Sequence, residues 1–201
     1  MTDEKAWVLQ AQQGSDEAFT QIVETYQKPI FNLCYRMLGE PGAAEDAAQE
    51  TFLRVYQNLH RYDPSRAFGT WILSIAAHYC IDLLRKKKFK IFSMDAENDD
   101  GMTFELPDDS APDPEVESVK KELHNRLHLL LKDLNETDRA AVIMRYWYDF
   151  SEKEIAHSLN LTVSAVKSRL HRSRRALAGM WNESEALQAN VERRTYESPA
   201  F

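Results

Sequence analysis

The chain is poor in several features that define protein classes. It has two cysteines and six glycines in 201 residues. Cys34 and Cys80 form no C-x-x-C pair, so we expect two reduced, buried thiols and no disulfide framework. No apolar run approaches the roughly 20 residues that a membrane-spanning helix needs. The first residues lack the basic-then-apolar pattern of a secretory signal. We therefore expect a cytoplasmic protein with no segment inserted in a membrane.

The sequence also lacks the motifs of common enzymes. It contains neither a glycine-rich phosphate loop nor a nucleophile elbow. His124 and His128 lie four residues apart, as zinc-binding histidines on a helix do. No glutamate that could act as a general base lies between them, and no third ligand is close in sequence. We interpret them as polar residues at a helix boundary and expect no enzyme activity, no metal and no cofactor.

Carboxylates are absent from residues 155–182, although the formal net charge of the chain is −7. The same stretch contains five cations: Lys167, Arg169, Arg172, Arg174 and Arg175. The simplest alternative is a solvated helix face, but solvated faces normally mix both signs of charge. The strip therefore predicts a nucleic-acid partner.

The acidity is concentrated elsewhere. Residues 89–119 contain ten carboxylates and one cation, together with Pro107, Pro112 and Pro114. Little apolar periodicity accompanies them, so the segment predicts a flexible acidic linker. The linker could mimic a polyanion or simply solubilise the chain. The rest of the chain carries a small positive charge and forms two folded parts.

The N-terminal part has helical periodicity and no strand pattern. Ser15 is a helix-start signal, the apolar spacing continues to Met37, and Pro29 is a candidate kink. Glycine and proline at 39–42 predict a break. A second helix is expected from Ala44 to Leu59, with Ala48, Phe52, Val55 and Tyr56 on its apolar side. A third is expected from Phe68 to about Ala77, with an interruption near His78 before it continues to the basic run at 85–88.

The C-terminal part is also predicted to be helical, with a stripe of apolar residues from Val116 to Leu134. Asn135 restarts a helix, and residues 151–154 have the S-x-x-E form of a capping box. A turn at 160–162 separates this short helix from a basic second helix. A short helix, a tight turn and a basic helix predict a DNA-binding helix-turn-helix. After Trp181 we expect a frayed polar tail.

Three segments together resemble a known family. The segment AEDAAQETFLRVY at 44–56 resembles the polymerase-binding helix of bacterial sigma factors. The segment FGTWILSIAAH at 68–78, with the basic run that follows, resembles their promoter-melting segment. The segment LTVSAVKSR at 161–169 resembles their upstream-promoter reader. Order and spacing match over about residues 5–180, so the chain is identified as a member of the extracytoplasmic-function (ECF) group of the sigma-70 family.

The resemblance implies an all-α chain of two small helical domains joined by a flexible acidic linker. Region 2 would cover 1–88, the linker 89–115, region 4 with the helix-turn-helix 116–181, and the polar tail 182–201. The implied partners are core RNA polymerase, duplex DNA at the −35 element, single-stranded DNA at the −10 element and a membrane-anchored anti-sigma factor. The alternative function is a helix-turn-helix regulator that binds duplex DNA without polymerase.

The resemblance also assigns roles to residues. The residues implied in polymerase binding are Asp46, Gln49, Glu50 and Phe52, of which the first three share a polar helix face and Phe52 points inward. The residues implied in −10 recognition and melting are Tyr62, Phe68, Trp71, His78, Arg85, Lys86 and Lys87. Aromatic faces next to cations suit unstacked bases and a phosphate backbone, although core packing explains Phe68 and Trp71 equally simply.

His78 departs from the family pattern, in which asparagine is commoner at this position. Histidine can hydrogen-bond or stack on a base but caps a helix less readily. The residues implied in −35 recognition are Ser164, Lys167, Ser168, Arg169, His171, Arg172 and Arg175. Arginine and lysine can read guanine edges, whereas contacts to phosphate mainly fix the register of the protein on DNA. We expect Arg169 and Arg175 to lie near phosphates.

Overall fold

The computed structural model describes residues 3–93 and 126–196, with side chains described for 4–89 and 126–182. These ranges contain helices and connecting turns and no strand. The helices are α1 (Asp3–Gln12), α2 (Asp16–Leu38), α3 (Pro41–Asn58), α4 (Phe68–Ser93), α5 (described over 126–132), α6 (Glu136–Trp147), α7 (Glu152–Ser158) and α8 (Val163–Tyr196). A short 3-10 turn, Leu59–Arg61, follows α3.

The helix boundaries follow the local signals in the sequence. The Ser15 side chain accepts a hydrogen bond from the Ala18 amide at the start of α2. Gly39 ends α2 in the left-handed region, at φ 84°, where glycine is not strained, and its N–H donates to the Tyr35 carbonyl. Pro41 then opens α3 at a position that needs no amide hydrogen. The predicted break at 39–42 is confirmed, and α2 continues through Pro29.

Three boundary predictions are wrong. The interruption near His78 does not occur, because α4 continues through this position. After Gly69 the helix contains neither proline nor glycine. Because α4 extends to Ser93, the linker does not begin at residue 89. The polar stretch after Trp181 is helical to Tyr196 rather than frayed. The remainder of the predicted linker, His124 and the stripe before Arg126 lie outside the described residues.

Helix α1 was not expected, because its apolar residues are scattered around its circumference rather than aligned on one face. Only Val8 of this helix is fully buried, at 2% exposure. The side chain of Gln12 ties the end of α1 to the rest of the N-terminal part. Its amide donates to the carbonyls of Leu59 (2.9 Å) and Tyr62 (3.0 Å).

Both folded parts have a conventional apolar interior. In the N-terminal part, α2 packs on α1, α3 and α4, and the largest buried side chains are Ile22, Ile30, Leu33, Met37 and Ile72. In the C-terminal part, α6, α7 and α8 pack on each other around Ile143, Met144, Ile155, Val166 and Leu170. Cys34 and Cys80 are buried and free in the first of these cores. The all-helical, two-part organisation matches the expected fold.

The two parts are in contact with each other, which the sequence did not predict. Helix α6 packs on α2 and α4, and α7 packs on α4. Arg139 of α6 is 6% exposed, and its guanidinium donates to the carbonyls of Met37 near the end of α2 and of Lys132. The Tyr148 hydroxyl donates to the Pro29 carbonyl at 2.6 Å. These contacts join the N-terminal and C-terminal cores into one continuous apolar cluster.

Candidate polymerase and nucleic-acid interfaces

One exposed face of α3 carries the residues expected to bind polymerase. Asp46 and Gln49 are exposed, and the half-buried Glu50 accepts a hydrogen bond from Arg54 Nε at 2.7 Å. Phe52 is half-buried and packs against the core, which agrees with the inward orientation expected of it. The face is therefore polar and partly pre-organised by an i, i+4 ion pair.

Two large apolar residues extend this face. Leu53 is 51% exposed and Tyr56 is 55% exposed, and both lie at helical spacing from Gln49. The prediction that Tyr56 points to the core is wrong, because more than half of the residue is exposed, although its ring meets that of Phe19 in a T-shaped pair with centroids 5.0 Å apart. Leu53 and Tyr56 lie seven and ten residues after Asp46, and this helical spacing could have identified them as part of the surface.

The aromatic residues before and within α4 form a packed cluster. Phe68 and Tyr62 are 3% and 6% exposed and meet edge to face at 5.1 Å. The Tyr62 hydroxyl donates to the Arg66 carbonyl, which holds the connecting loop. Such burial leaves no ring face for a base, so direct DNA contact is not supported for these two residues. They instead support Trp71, which is half-buried and tilts against both rings.

His78 is exposed on the middle of α4. Its Nδ1 lies 3.0 Å from the Ser74 carbonyl oxygen. Because a carbonyl can only accept, the hydrogen must be on Nδ1, and a neutral ring therefore presents Nε2 as an acceptor to solvent. The capping question raised by the sequence disappears, since no helix ends at this position.

The basic run at the end of α4 is exposed and faces α6. Arg85, Lys86 and Lys87 are all exposed. The Arg85 guanidinium donates to the Thr137 hydroxyl at 3.3 Å, and Lys88 Nζ lies 3.9 Å from a Glu136 carboxylate oxygen. The cations expected near the −10 element are thus partly engaged by the C-terminal part.

A cleft of about 490 Å³ separates α4 from α7. Trp71 and His78 line the α4 side, and Lys153, Glu154 and His157 line the opposite side. Polar contacts close its rim: Thr70 Oγ1 donates to Glu154 at 3.3 Å, and the hydroxyls of Ser74 and Ser158 are 2.6 Å apart. Trp71 and His78 therefore lie in a slot whose other wall belongs to the helix-turn-helix.

The helix-turn-helix is built by strong local signals. The Ser151 side chain caps α7, and the Glu154 carboxylate accepts from the Ser151 amide, so the predicted capping box is confirmed. Hydrogen bonds from Ser151 lower the pKa of Glu154 below its usual range. Asn160 makes the turn at φ 53°, a conformation that asparagine tolerates. Thr162 Oγ1 then accepts from the Ala165 amide at the start of α8.

Helix α8 presents one cationic face. Ser164, Lys167, Ser168, His171, Arg172 and Arg175 are all exposed, while Val166 and Leu170 are buried on the opposite face. Arg169 differs, because its guanidinium donates to Asp138 at 2.6 Å and its side chain is 29% exposed. Lys167 lies 3.5 Å from a Glu152 carboxylate oxygen. Helix α8 therefore packs on the rest of the protein through its apolar side, and its basic side is accessible to a polyanion.

The described residues contain neither a metal cluster nor a membrane-spanning helix. His128 stacks on Tyr35 with centroids 5.1 Å apart. Among residues 3–93 and 126–196, no three histidine, cysteine or carboxylate side chains are placed to hold a metal. Within the same ranges, no helix combines the length and the apolar character required to cross a bilayer.

The comparisons with known proteins agree with this geometry. Residues 22–90 match the family described as Sigma-70 region 2, and residues 124–177 match Sigma-70, region 4. The chain is 38% identical to the ECF RNA polymerase sigma factor SigW of Bacillus subtilis, covering 86% of this chain and 94% of that protein. It is 30% identical to the RNA polymerase sigma-H factor of Pseudomonas aeruginosa, covering 85% and 89%.

Two solved structures share the fold. CnrH, solved in complex with the cytosolic domain of CnrY, is 21% identical with a TM-score of 0.65, covering 90% of this chain and 97% of that one. The sigma factor RpoE of Bartonella quintana, solved in complex with the anti-sigma factor NepR, is 16% identical with a TM-score of 0.66, covering 82% and 96%. The helix-turn-helix, the α4 surface and these matches lead to one conclusion: the chain belongs to the sigma-70 family, in its ECF group, and is an RNA polymerase sigma factor.

Proposed function

We propose that the three surfaces divide the work of transcription initiation among α3, α4 and α8. The observation that carries the proposal is the exposed cationic face of α8, which rests on a complete helix-turn-helix. In this division region 2 comprises the helices up to α4, and region 4 comprises α5 to α8. The docking surface for core polymerase is the polar face of α3, formed by Asp46, Gln49 and Glu50, with Leu53 and Tyr56 beside it. Exposed apolar residues rimmed by polar ones are typical of such docking surfaces.

The α4 surface captures the −10 element as a single strand. Trp71 offers an aromatic face, and the outward Nε2 of His78 can accept from an exocyclic amino group of a base. Arg85, Lys86 and Lys87 hold the backbone. Opening requires no hydrolysis, because favourable capture of an extruded base offsets the few kcal/mol of lost stacking and pairing.

The α8 surface reads the −35 element as a duplex. Five residues of its first turns enter the major groove: Ser164, Lys167, Ser168, His171 and Arg172. Arg175, a turn further along the helix, binds phosphate. Arg169 is held by Asp138, so we assign it to orienting α8 on α6 rather than to reading a base.

A protein inhibitor of the anti-sigma class is a further partner that we infer for this chain. One fold relative was solved with the cytosolic domain of CnrY, and the other with the anti-sigma factor NepR. The inhibitor of this chain would be anchored in the membrane and would act from its cytosolic side. Co-purification of the chain with the product of a neighbouring membrane-protein gene is the corresponding test.

Transcription with purified components tests the function directly. The chain is added to core polymerase on fragmented genomic DNA from the source organism, and transcript starts are mapped. We expect starts that share a −35 and a −10 sequence. A regulator that acts without polymerase would bind duplex DNA but give no starts that depend on the chain, and this result would refute the proposal.

Glu50→Lys tests the docking surface. It reverses one charge of the α3 face and places two cations beside each other, since Glu50 pairs with Arg54. We expect affinity for core polymerase to fall by at least about tenfold, equivalent to about 1.4 kcal/mol, with the fold intact by circular dichroism. Glu24→Lys is the matched control, an exposed glutamate on α2 rather than on α3. Equal losses in both variants would show a general charge effect and remove the docking assignment.

A further inference from the structure

Phe89 lies near the end of α4, and 77% of the residue is exposed. It is the most exposed of the large apolar residues in the part of the chain that the structure describes. Because α4 continues to Ser93, residue 89 belongs to a helix rather than to the linker predicted there. A single exposed apolar residue is common on protein surfaces, so the position of Phe89 on the helix decides whether it has a function.

Phe89 lies on the same face of α4 as Trp71 and His78. The helix is continuous through all three positions, so its period of about 3.6 residues per turn fixes their relative directions. Phe89 follows Trp71 by 18 residues, or about five turns, and follows His78 by 11 residues, or about three turns. The three side chains therefore form one row along the helix, which we call the α4 row. An interruption of the helix near His78 would destroy this alignment.

The α4 row is long enough to meet several nucleotides of one strand. At about 1.5 Å of rise per residue, His78 and Phe89 are about 16 Å apart along the helix axis. Successive nucleotides of a stacked strand are about 3.4 Å apart. A strand that runs along α4 therefore places at most about five nucleotides between the base at His78 and the base at Phe89. Both residues can contact the same opened strand.

The side chains around Phe89 favour a nucleic acid as its partner. Arg85 and Lys86 lie four and three residues before it, the spacings at which side chains on a helix are neighbours, and both are exposed. Aromatic rings stack on bases of any sequence, and adjacent cations hold the backbone. The exposed Asp82 lies between His78 and Phe89 in the α4 row. Its carboxylate repels phosphate but can accept from the amino group of cytosine, so the row suits bases, and the two cations beside it suit phosphates.

A basic helix end with an exposed aromatic ring is also typical of proteins that bind anionic lipid surfaces. Two observations favour nucleic acid here. The ring is aligned with Trp71 and His78, which are the base-directed residues of the same helix. The α4 row also includes the carboxylate of Asp82, which an anionic membrane would repel. Lipid binding is accordingly an outcome that the experiment must distinguish.

We propose that Phe89 stacks on an unpaired base of the opened promoter strand and extends the capture surface of α4 by about three turns beyond His78. The inference rests on the proposed assignment of α4 to the −10 element. Stacking on a ring face discriminates little between bases. Phe89 therefore prolongs the open state of the DNA and leaves the choice of promoter to the other contacts.

Three substitutions of Phe89 separate stacking from burial of apolar surface. Phe89→Ala removes the ring, Phe89→Leu keeps an apolar side chain without a ring face, and Phe89→Trp keeps an aromatic face. Each full-length variant is combined with core polymerase on a promoter mapped for the unmodified chain. The lifetime of the open complex is measured from the transcripts that remain after a competitor is added. Leu9→Ala is the matched control, because Leu9 is 43% exposed on α1, outside the α4 row.

A second measurement identifies the stacked base. 2-Aminopurine, whose fluorescence is quenched by stacking, replaces one base of the opened strand at a time. We expect one position at which the fluorescence rises in Phe89→Ala and stays low in Phe89→Trp. This position should lie at most about five nucleotides from the one that responds to His78→Ala.

The open complex should be about tenfold shorter-lived with Phe89→Ala and with Phe89→Leu, equivalent to about 1.4 kcal/mol. With Phe89→Trp and with Leu9→Ala it should stay within about twofold of the unmodified chain. Equal lifetimes for Phe89→Ala and the unmodified chain would overturn the proposal. A normal lifetime with Phe89→Leu would also overturn it, since burial of apolar surface alone would then explain the effect.

Binding to vesicles of phosphatidylglycerol is measured with the same variants. Weaker vesicle binding by Phe89→Ala, together with an unchanged open-complex lifetime, would assign the ring to a membrane surface and overturn the proposal. If the unmodified chain gives no promoter-specific starts, the proposed function itself fails. The two failures are therefore distinguishable.

Discussion

The DNA-facing surfaces of α4 and α8 are both basic, but their cations are in different states. On α4, Arg85 and Lys88 contact Thr137 and Glu136 of region 4. On α8, Arg172 and Arg175 are exposed and have no hydrogen bond or ion pair to the part of the chain that the structure describes. One surface is engaged within the protein, and the other is ready for an external partner.

This difference affects the free energy with which each surface binds DNA. A cation that already faces a carboxylate must give up that attraction before it can bind phosphate, so part of the gain is cancelled. An exposed, unpaired cation releases counterions from DNA without such a loss. The α8 face is therefore suited to the first encounter with duplex DNA, whereas the α4 cations must first give up their partners in region 4.

A third type of arginine completes the comparison. Arg139 is almost fully buried, and desolvation lowers its pKa below the usual arginine range. It binds only carbonyl oxygens, those of Met37, Lys132 and Leu134. The carbonyls at the C-terminal end of α2, which have no partner within the helix, attract a cation. Arg139 thus has a structural role, and its substitution should separate stability from DNA binding.

The largest expected effect is that of Arg139→Met. The substitution keeps the length of the side chain but leaves up to three buried carbonyls without their donor, which should lower the free energy of unfolding by about 3 kcal/mol. Urea denaturation followed by circular dichroism measures the change. Arg174→Met is the matched control, because Arg174 is exposed on α8 and should change stability by less than about 0.5 kcal/mol. Similar destabilisation by the two variants would contradict the contrast between buried and exposed arginines.

Arg172→Ala should weaken DNA binding and leave the stability of the protein nearly unchanged. Arg172 is exposed, so the free energy of unfolding should change by less than about 0.5 kcal/mol. Affinity for a −35 duplex should fall by about 1–3 kcal/mol, with weaker discrimination between promoter sequences, if the guanidinium reads a base. Fluorescence anisotropy with matched and mutated duplexes measures both quantities. Arg61→Ala removes the same charge at an exposed position outside region 4 and should leave affinity nearly unchanged; an equal loss there would assign the effect to net charge.

Local signals explain why much of the fold could be predicted. Caps and breakers act within a few residues, so Ser15, Gly39 and the capping box of Ser151 with Glu154 could be read from the sequence. The basic face of α8 could also be predicted, because its cations recur at helical spacing. Tyr56 was misplaced, because an aromatic residue beside an apolar helix face resembles a core residue whether or not other helices cover it.

Long-range packing explains what could not be predicted. The burial of Tyr62 and Phe68 depends on how α1, α2 and α4 meet, and no local pattern separates a base-stacking aromatic from a core one. The contact of Arg139 with Met37 joins residues about a hundred positions apart, so no local periodicity indicates it. The packing of region 4 on region 2 is accordingly a result of the structure alone.

The smallest expected effect compares two glutamates that each begin a helix. Glu152, the first residue of α7, lies 3.5 Å from Lys167 on the α8 face, and Glu136, the first of α6, lies 3.9 Å from Lys88 on the α4 side. Both pairs are partly exposed, so each is worth at most about 1 kcal/mol. Glu152→Gln should raise affinity for the −35 duplex by a few tenths of a kcal/mol and steepen its salt dependence by about one unit, because Lys167 becomes available to phosphate.

Glu136→Gln is the matched control, because it makes the same change at the same helical position but beside the α4 surface. It should leave duplex affinity and its salt slope unchanged, while weakening one contact that holds region 4 on α4. Titrations with the −35 duplex over a series of salt concentrations measure both variants. A steeper salt dependence of duplex affinity in both variants would mean that the carboxylates act through the overall electrostatic field of the protein. A change in Glu152→Gln alone would support direct binding of duplex DNA by the α8 face.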